Sequence, residues 1–184
     1  MVRLSDKVAE DHREMEKCFN EITSSSDHDH QERFGNQFTW ELARHSIAEE
    51  LVVYPAFEKY MGNKGHEMAE EDRKAHHEAK EKLKKFQNMS PEDANYVPML
   101  KQLWGTLSKH IEEEESHDLP ALEAALEPGA SETMSQSFER TKMFVPTRSH
   151  PSAGESPPFE TAMGLLTAPM DRIADMFRKF PQDV

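Results

Sequence analysis

The sequence predicts an all-α protein: an up-down-up-down four-helix bundle with a proline-rich C-terminal extension ending in a short helix. Three observations predict it. Apolar residues recur at spacings of three and four along four successive segments, the period of an amphipathic helix. Short polar or glycine-bearing stretches separate the segments, so that neighbouring helices run antiparallel. Seven of the eleven prolines fall at or after Pro128, where the helical pattern gives way.

The first helix covers about residues 7–22, with Ser5 as N-cap and Val8, His12, Met15, Phe19 and Ile22 on one stripe. The second covers about 29–60 and carries Phe34, Phe38, Leu42, His45, Glu49, Val52 and Val53; Pro55 kinks it or marks its final turn. Residues 61–65 hold two glycines and form a turn. The third helix, about 66–86, has Ala69, Asp72, His76, Ala79, Leu83 and Phe86 in phase. Ser90 and Pro91 open the fourth, about 91–126, with Leu100, Leu103, Leu107, His110, Glu114 and His117 on one face. Pro98 and Pro120 leave its middle as the regular part.

Residues 1–128 are thus read as the bundle and 129–184 as an extension that packs on it. Pro146, Pro151, Pro157 and Pro158 make a stiff, extended strap. Residues 159–180 carry Phe159, Leu165, Leu166, Ile173 and Phe177, too many large apolar side chains for a solvated tail. A short helix folded back on the outside of the bundle is therefore expected, and it is expected to be dispensable for the site.

The chain of 184 residues suits one domain, and its 36% apolar share suffices when each helix buries one stripe. A net charge of −13 disfavours nucleic acid and anionic membrane as partners. The single cysteine, Cys18, cannot form an internal disulfide, and neither a signal peptide nor a spanning segment is visible, so a cytoplasmic location is expected.

Ten histidines are the most unusual count. His12, His45, His76 and His110 each take an apolar-stripe position on a different helix. Glu49 follows His45, and Glu114 follows His110, by four residues, which puts each pair on one helix face. Counted from the turns at about 1.5 Å per residue, the four histidines fall at mid-bundle depth to within about 4–9 Å. One such histidine is ordinarily a satisfied core residue. Four at similar depth, with two carboxylates that an apolar face would not tolerate alone, indicate a metal ion. In the run 112–115 only Glu114 keeps phase with His110, and the others read as a solvated face. His28, His30, His77 and His150 read as surface residues, and His66 and His117 as lining at most.

At these residues the chain resembles the hemerythrin-like, HHE cation-binding family. The carrying motifs are Asp11-His12, His45 to Glu49 and Glu50, Asp72 to His76, and His110 to Glu114, within residues 4–126. The resemblance implies a di-iron centre, with His12, His45, His76 and His110 as terminal ligands and Glu49 and Glu114 as bridges. It departs from the oxygen carriers, which supply two histidines one turn apart on the third helix where this chain has Asp72 and His76. The resulting site is richer in oxygen ligands. Imidazole and carboxylate ligation suits iron, and manganese or zinc as alternatives. The function implied is binding or sensing of dioxygen, nitric oxide or iron. The alternatives are a di-iron oxidase or oxygenase acting on a small organic substrate, and metal storage or a structural metal.

Overall fold

Polar caps, prolines and two positive-φ glycines, Gly62 and Gly129, decide where the helices of this chain stop. In the computed structural model, which describes residues 2–150 and 159–182 and only the backbone of 159–165, seven α-helices account for the fold and no strand occurs among the described residues. Helix α1 spans Leu4–Ser24. Helix α2 spans His28–Ala48, and the Asp27 carboxylate caps it by accepting the Asp29 N–H at 2.9 Å. A π turn, Glu49–Val53, joins α2 to α3, Tyr54–Phe86. Helix α3 is broken at Gly62, whose φ of 60° and ψ of −133° suit only glycine, and the chain reverses there. Gly65 closes the reversal: a Cβ on it would lie 1.9 Å from the Phe57 carbonyl oxygen. Helix α4 spans Tyr96–Glu113, and a second π turn, Glu114–Asp118, leads to α5, Leu119–Ala125. Helices α6, Ala130–Lys142, and α7, Phe159–Asp175, follow.

The fourth helix of the bundle starts at Tyr96, five residues later than Pro91, and the difference has a cause. Pro98 then falls in the first turn, where its missing N–H is not needed. Pro55 and Pro120 do not end their helices. Each lies two residues past a π turn, in which Tyr54 N–H reaches back to the Glu49 carbonyl and Leu119 N–H to the Glu114 carbonyl. A proline ring clashes with the carbonyl four residues earlier, and a wider preceding turn relieves that clash.

Two apolar clusters fill the bundle. One contains Met15, Phe38, Leu42, Leu83, Phe86, Leu100, Leu103 and Leu107; the other contains Leu4, Val8, Val53, Tyr54, Phe57, Ala69, Leu119 and Leu122. Along each bundle helix a histidine sits between the two sets, as His12 does between Val8 and Met15. A buried polar layer therefore separates two dry halves.

The extension is more deeply built in than its composition suggested. Helix α6 lies against α1 and α2, Phe138 is fully buried in the second cluster, and Ser131 Oγ accepts the Leu4 N–H at 2.8 Å. Beyond it, residues 145–150 cross to α3. Ser149 Oγ donates to the Lys80 carbonyl at 2.8 Å, and Ser149 exchanges two hydrogen bonds with Gln87. Pro151, Pro157 and Pro158 of the expected strap, and the side chains of Phe159 and Leu165, lie outside the described residues.

The expected terminal helix is present, but its described side chains dock by polar groups, which corrects the expectation that Leu166, Ile173 and Phe177 pack on the bundle. Asp171 accepts the N–H groups of Thr147 and Arg148, and His150 reaches the same carboxylate at 3.0 Å. Lys179 pairs with Asp29 and Glu32 on α2. Leu166, Met170, Ile173 and Phe177 face solvent, 61–86% exposed. Once Asp171 and Asp175 are committed inward to the 147–148 backbone and the Thr147 hydroxyl, the stripe Leu166, Met170, Ile173 and Phe177, which lies one, two or five positions from one or other of them, must point out. His150 is accordingly a half-buried hydrogen-bonding residue and not a plain surface one.

Candidate metal centre

All six residues singled out by phase meet in the polar layer. His12, His45, Glu49, His76, His110 and Glu114 are each at most 6% exposed. Two groups of candidate ligand atoms form: His12, His45, Glu49 and Glu114 in one, and Glu49, His76 and His110 in the other, the atoms of each lying within 4.8 Å of one another. Glu49 belongs to both. Its Oε1 is 3.1 Å from His45 Nε2 and its Oε2 is 3.1 Å from His76 Nε2. Glu114 Oε2 lies 3.4 Å from His12 Nε2 and 3.9 Å from His110 Nε2. The histidines form two edge-on pairs, His12–His45 with Nε2 atoms 3.2 Å apart and His76–His110 with Nε2 atoms 3.0 Å apart.

Each Nδ1 faces an acceptor. His45 Nδ1 is 3.2 Å from Asp11, His12 Nδ1 is 2.7 Å from Glu115, His110 Nδ1 is 3.4 Å from Asp72 and His76 Nδ1 is 3.7 Å from Glu50. Such partners turn the four Nε2 atoms toward one another and raise their basicity. The arrangement repeats. Glu49 and Glu50 take the two edges of the His76 ring, and Glu114 and Glu115 take those of His12. Adjacent residues of a regular helix point about 100° apart. The π turn that begins at each first glutamate lets both carboxylates reach one ring.

Cations back the outer carboxylates. Lys142 of α6 pairs with both oxygens of Asp11 at 2.7 and 2.9 Å, Lys80 pairs with Glu50, and Arg13 pairs with Glu115. The buried Tyr54 hydroxyl stands 2.9 Å from His76 Nδ1 and 3.1 Å from its Nε2, close enough to join whatever that nitrogen binds.

The site fits a metal on its own geometry. None of the four oxygens of Glu49 and Glu114 receives a well-directed hydrogen bond, although all are buried; the 3.1 Å contacts to histidine lie off the hydrogen-bond direction. Orphaned buried carboxylates are costly unless a cation satisfies them. In the metal-free chain protons take that part. Burial opposes a charge on His45, but Glu49 and Asp11 outweigh it and raise its pKa to about 10. Burial likewise opposes a charge on His76, and Glu49 and Glu50 raise it to about 9. Burial and the neighbouring His76 charge lower His110 to about 3, while burial and Glu49 raise Glu114 to about 7. Burial opposes a charge on His12 too, but Glu114 and Glu115 outweigh it and raise its pKa, so protonated imidazoles stand where a cation would sit.

Several participants escaped the periodicity reading. Glu115 lies in a run that reads as a solvated face, yet it holds His12. Glu50, out of phase with His45, sits against His76, and Lys142 of the extension pairs with Asp11. A repeated spacing carries the missing signal: His-x-x-x-Glu-Glu-x-x-x-x-Pro occurs at 45–55 and again at 110–120. Asp72 sits beside His110, whereas His66 and His117 face solvent, bound to Glu58 and Ser116.

The Hemerythrin HHE cation binding domain matches residues 3–122. An uncharacterized hemerythrin-like protein of Schizosaccharomyces pombe (strain 972 / ATCC 24843) is 53% identical over 181 residues, 98% of this chain and 89% of that protein. A DNA nickase of Nostoc sp. (strain PCC 7120 / SAG 25.82 / UTEX 2576) is 23% identical over 147 residues, 80% of this chain and 41% of the nickase. No solved structure matches. With a matching domain over most of its length, and that domain's histidines and carboxylates gathered in one buried layer, the chain belongs to the hemerythrin HHE cation-binding family.

Proposed function

We propose that the protein holds two metal ions, iron in the first place, and binds or senses a small diatomic ligand, dioxygen or nitric oxide. One observation carries the reading: the two oxygens of Glu49 face two different histidine pairs, as a bridge between two ions requires. His12 and His45 would hold one ion and His76 and His110 the other, with Glu114 as the second bridge. Manganese or zinc would satisfy the same donors. Bound iron would supply a redox-active site with affinity for such ligands. The chain's own part is to orient the imidazoles through Asp11, Glu50, Asp72 and Glu115. Its two apolar clusters keep bulk water from the layer.

A second reading, an oxidase or oxygenase, is favoured by a groove of about 310 Å³ between α1 and α4, lined by His12, Trp104 and Ile111, with room for a small organic molecule. The nickase activity of the Nostoc relative is not part of either reading, since a net charge of −13 disfavours a phosphate backbone. Rapid mixing of the reduced, iron-loaded protein with dioxygen or nitric oxide is the test. A change in the visible spectrum is expected. An unchanged spectrum with both gases contradicts the first reading, and oxygen consumption that rises with an added metabolite selects the second.

A further inference from the structure

Two grooves flank α4 and reach the polar layer from opposite sides, and their chemistry differs. The groove between α1 and α4 ends at Glu115, which His12 and the Arg13 guanidinium already engage. The groove between α3 and α4, about 300 Å³, is lined by Glu71, Asp72, Glu78, Lys109, His110 and Glu113. Four carboxylates line it beside Lys109, and one of them, Glu78, pairs with Lys82 at 2.6 Å. At its inner end Asp72 is only 5% exposed, and its two oxygens differ: Oδ1 lies 3.4 Å from His110 Nδ1, while Oδ2 is buried with no hydrogen-bond partner. Its counterparts Asp11, Glu50 and Glu115 each have a lysine or arginine partner.

We propose that the α3–α4 groove is the path by which a divalent cation reaches the centre, and that Asp72 Oδ2 is the oxygen that receives it and passes it to the His76–His110 side. The proposal rests on the reading of the histidine–glutamate layer as a metal centre. A hydrated dication gives up its water stepwise to oxygen ligands. A cleft lined by one sign of charge concentrates such an ion at its mouth. Glu71 and Glu113 supply that field, Glu78 being paired with Lys82. A buried acceptor beside His110 is then the first dry oxygen the ion meets. Arg13 makes the opposite groove a poorer route for a cation.

The test follows Co²⁺ uptake by the metal-free full chain in stopped flow, using the absorption of bound Co²⁺. Two ions per chain are expected at the end point. Asp72→Asn, and separately the double variant Glu71→Gln/Glu113→Gln, slow uptake by about tenfold or more, and the wild-type rate falls as ionic strength rises. Glu16→Gln/Glu112→Gln in the other groove leaves the rate unchanged. Equal slowing from both grooves, or no slowing from Glu71→Gln/Glu113→Gln, overturns the route. If Asp72→Asn lowers the end point while the double variant keeps the wild-type rate, Asp72 only orients His110, and the route is again overturned. A wild-type chain that takes up no Co²⁺ refutes the metal centre itself, an outcome distinct from a changed rate.

Discussion

Lys142 lies in the extension, yet it reaches the metal layer through one carboxylate. Its ammonium contacts both Asp11 oxygens, the pair is at most 9% exposed, and Asp11 in turn holds His45 Nδ1. Burial works against the Asp11 charge, but His45 and Lys142 outweigh it and hold its carboxyl below the usual range. Lys142→Met keeps the apolar stem and removes the charge, leaving Asp11 buried beside one histidine. Breaking a buried pair on one side costs about 3–5 kcal/mol. Loss of the group that fixes a ligand's support costs roughly 10–100-fold in metal affinity. The assays are denaturant unfolding of the metal-free chain and chelator competition on the loaded one. Asp11→Asn combined with Lys142→Met is expected to recover part of the stability loss, because the orphaned charge is gone. Loss of less than about 1 kcal/mol with unchanged metal affinity would refute the chain of contacts. By the same reasoning a chain ending at Gly129 loses Phe138 as well as Lys142, and it loses metal along with stability.

Three other outcomes follow. His45 and His76, raised to about 10 and 9, carry protons at neutral pH that two cations must displace. The affinity for each ion therefore climbs with pH by about one decade per unit for every proton it displaces, up to about pH 9, whereas a plateau above about pH 7 in chelator competition would mean ordinary histidines. Tyr54→Phe keeps the fold, because the ring stays buried, but changes the visible spectrum or ligand affinity of the iron-loaded protein; identical spectra place its hydroxyl outside the ions' reach. Gly65→Ala forces a Cβ against the Phe57 carbonyl and costs more than about 3 kcal/mol of stability by denaturant unfolding, and a neutral effect would refute the tight reversal.

The four histidines and two glutamates were legible because phase alone fixes which residues of an amphipathic helix face inward, and the helical rise fixes their depth. Periodicity failed where helices depart from period 3.6. Glu50 and Glu115 are out of phase in a regular helix and come inward only through π turns, each followed two residues later by a proline. Tyr54 and Lys142 reach the layer through tertiary packing, on which spacing within one helix is silent. The terminal helix shows the opposite failure. Its stripe was clear, but the Thr147–Asp171 and Thr147–Asp175 contacts decide which side faces the bundle.

Glu49 is proposed to join two ions. Elemental analysis of the chain purified after growth with iron, beside Glu49→Gln, tests it most directly. The account predicts about two irons per wild-type chain, and loss of both from Glu49→Gln, since that residue faces both histidine pairs. One ion per wild-type chain, or a Glu49→Gln variant that still holds two, would contradict it.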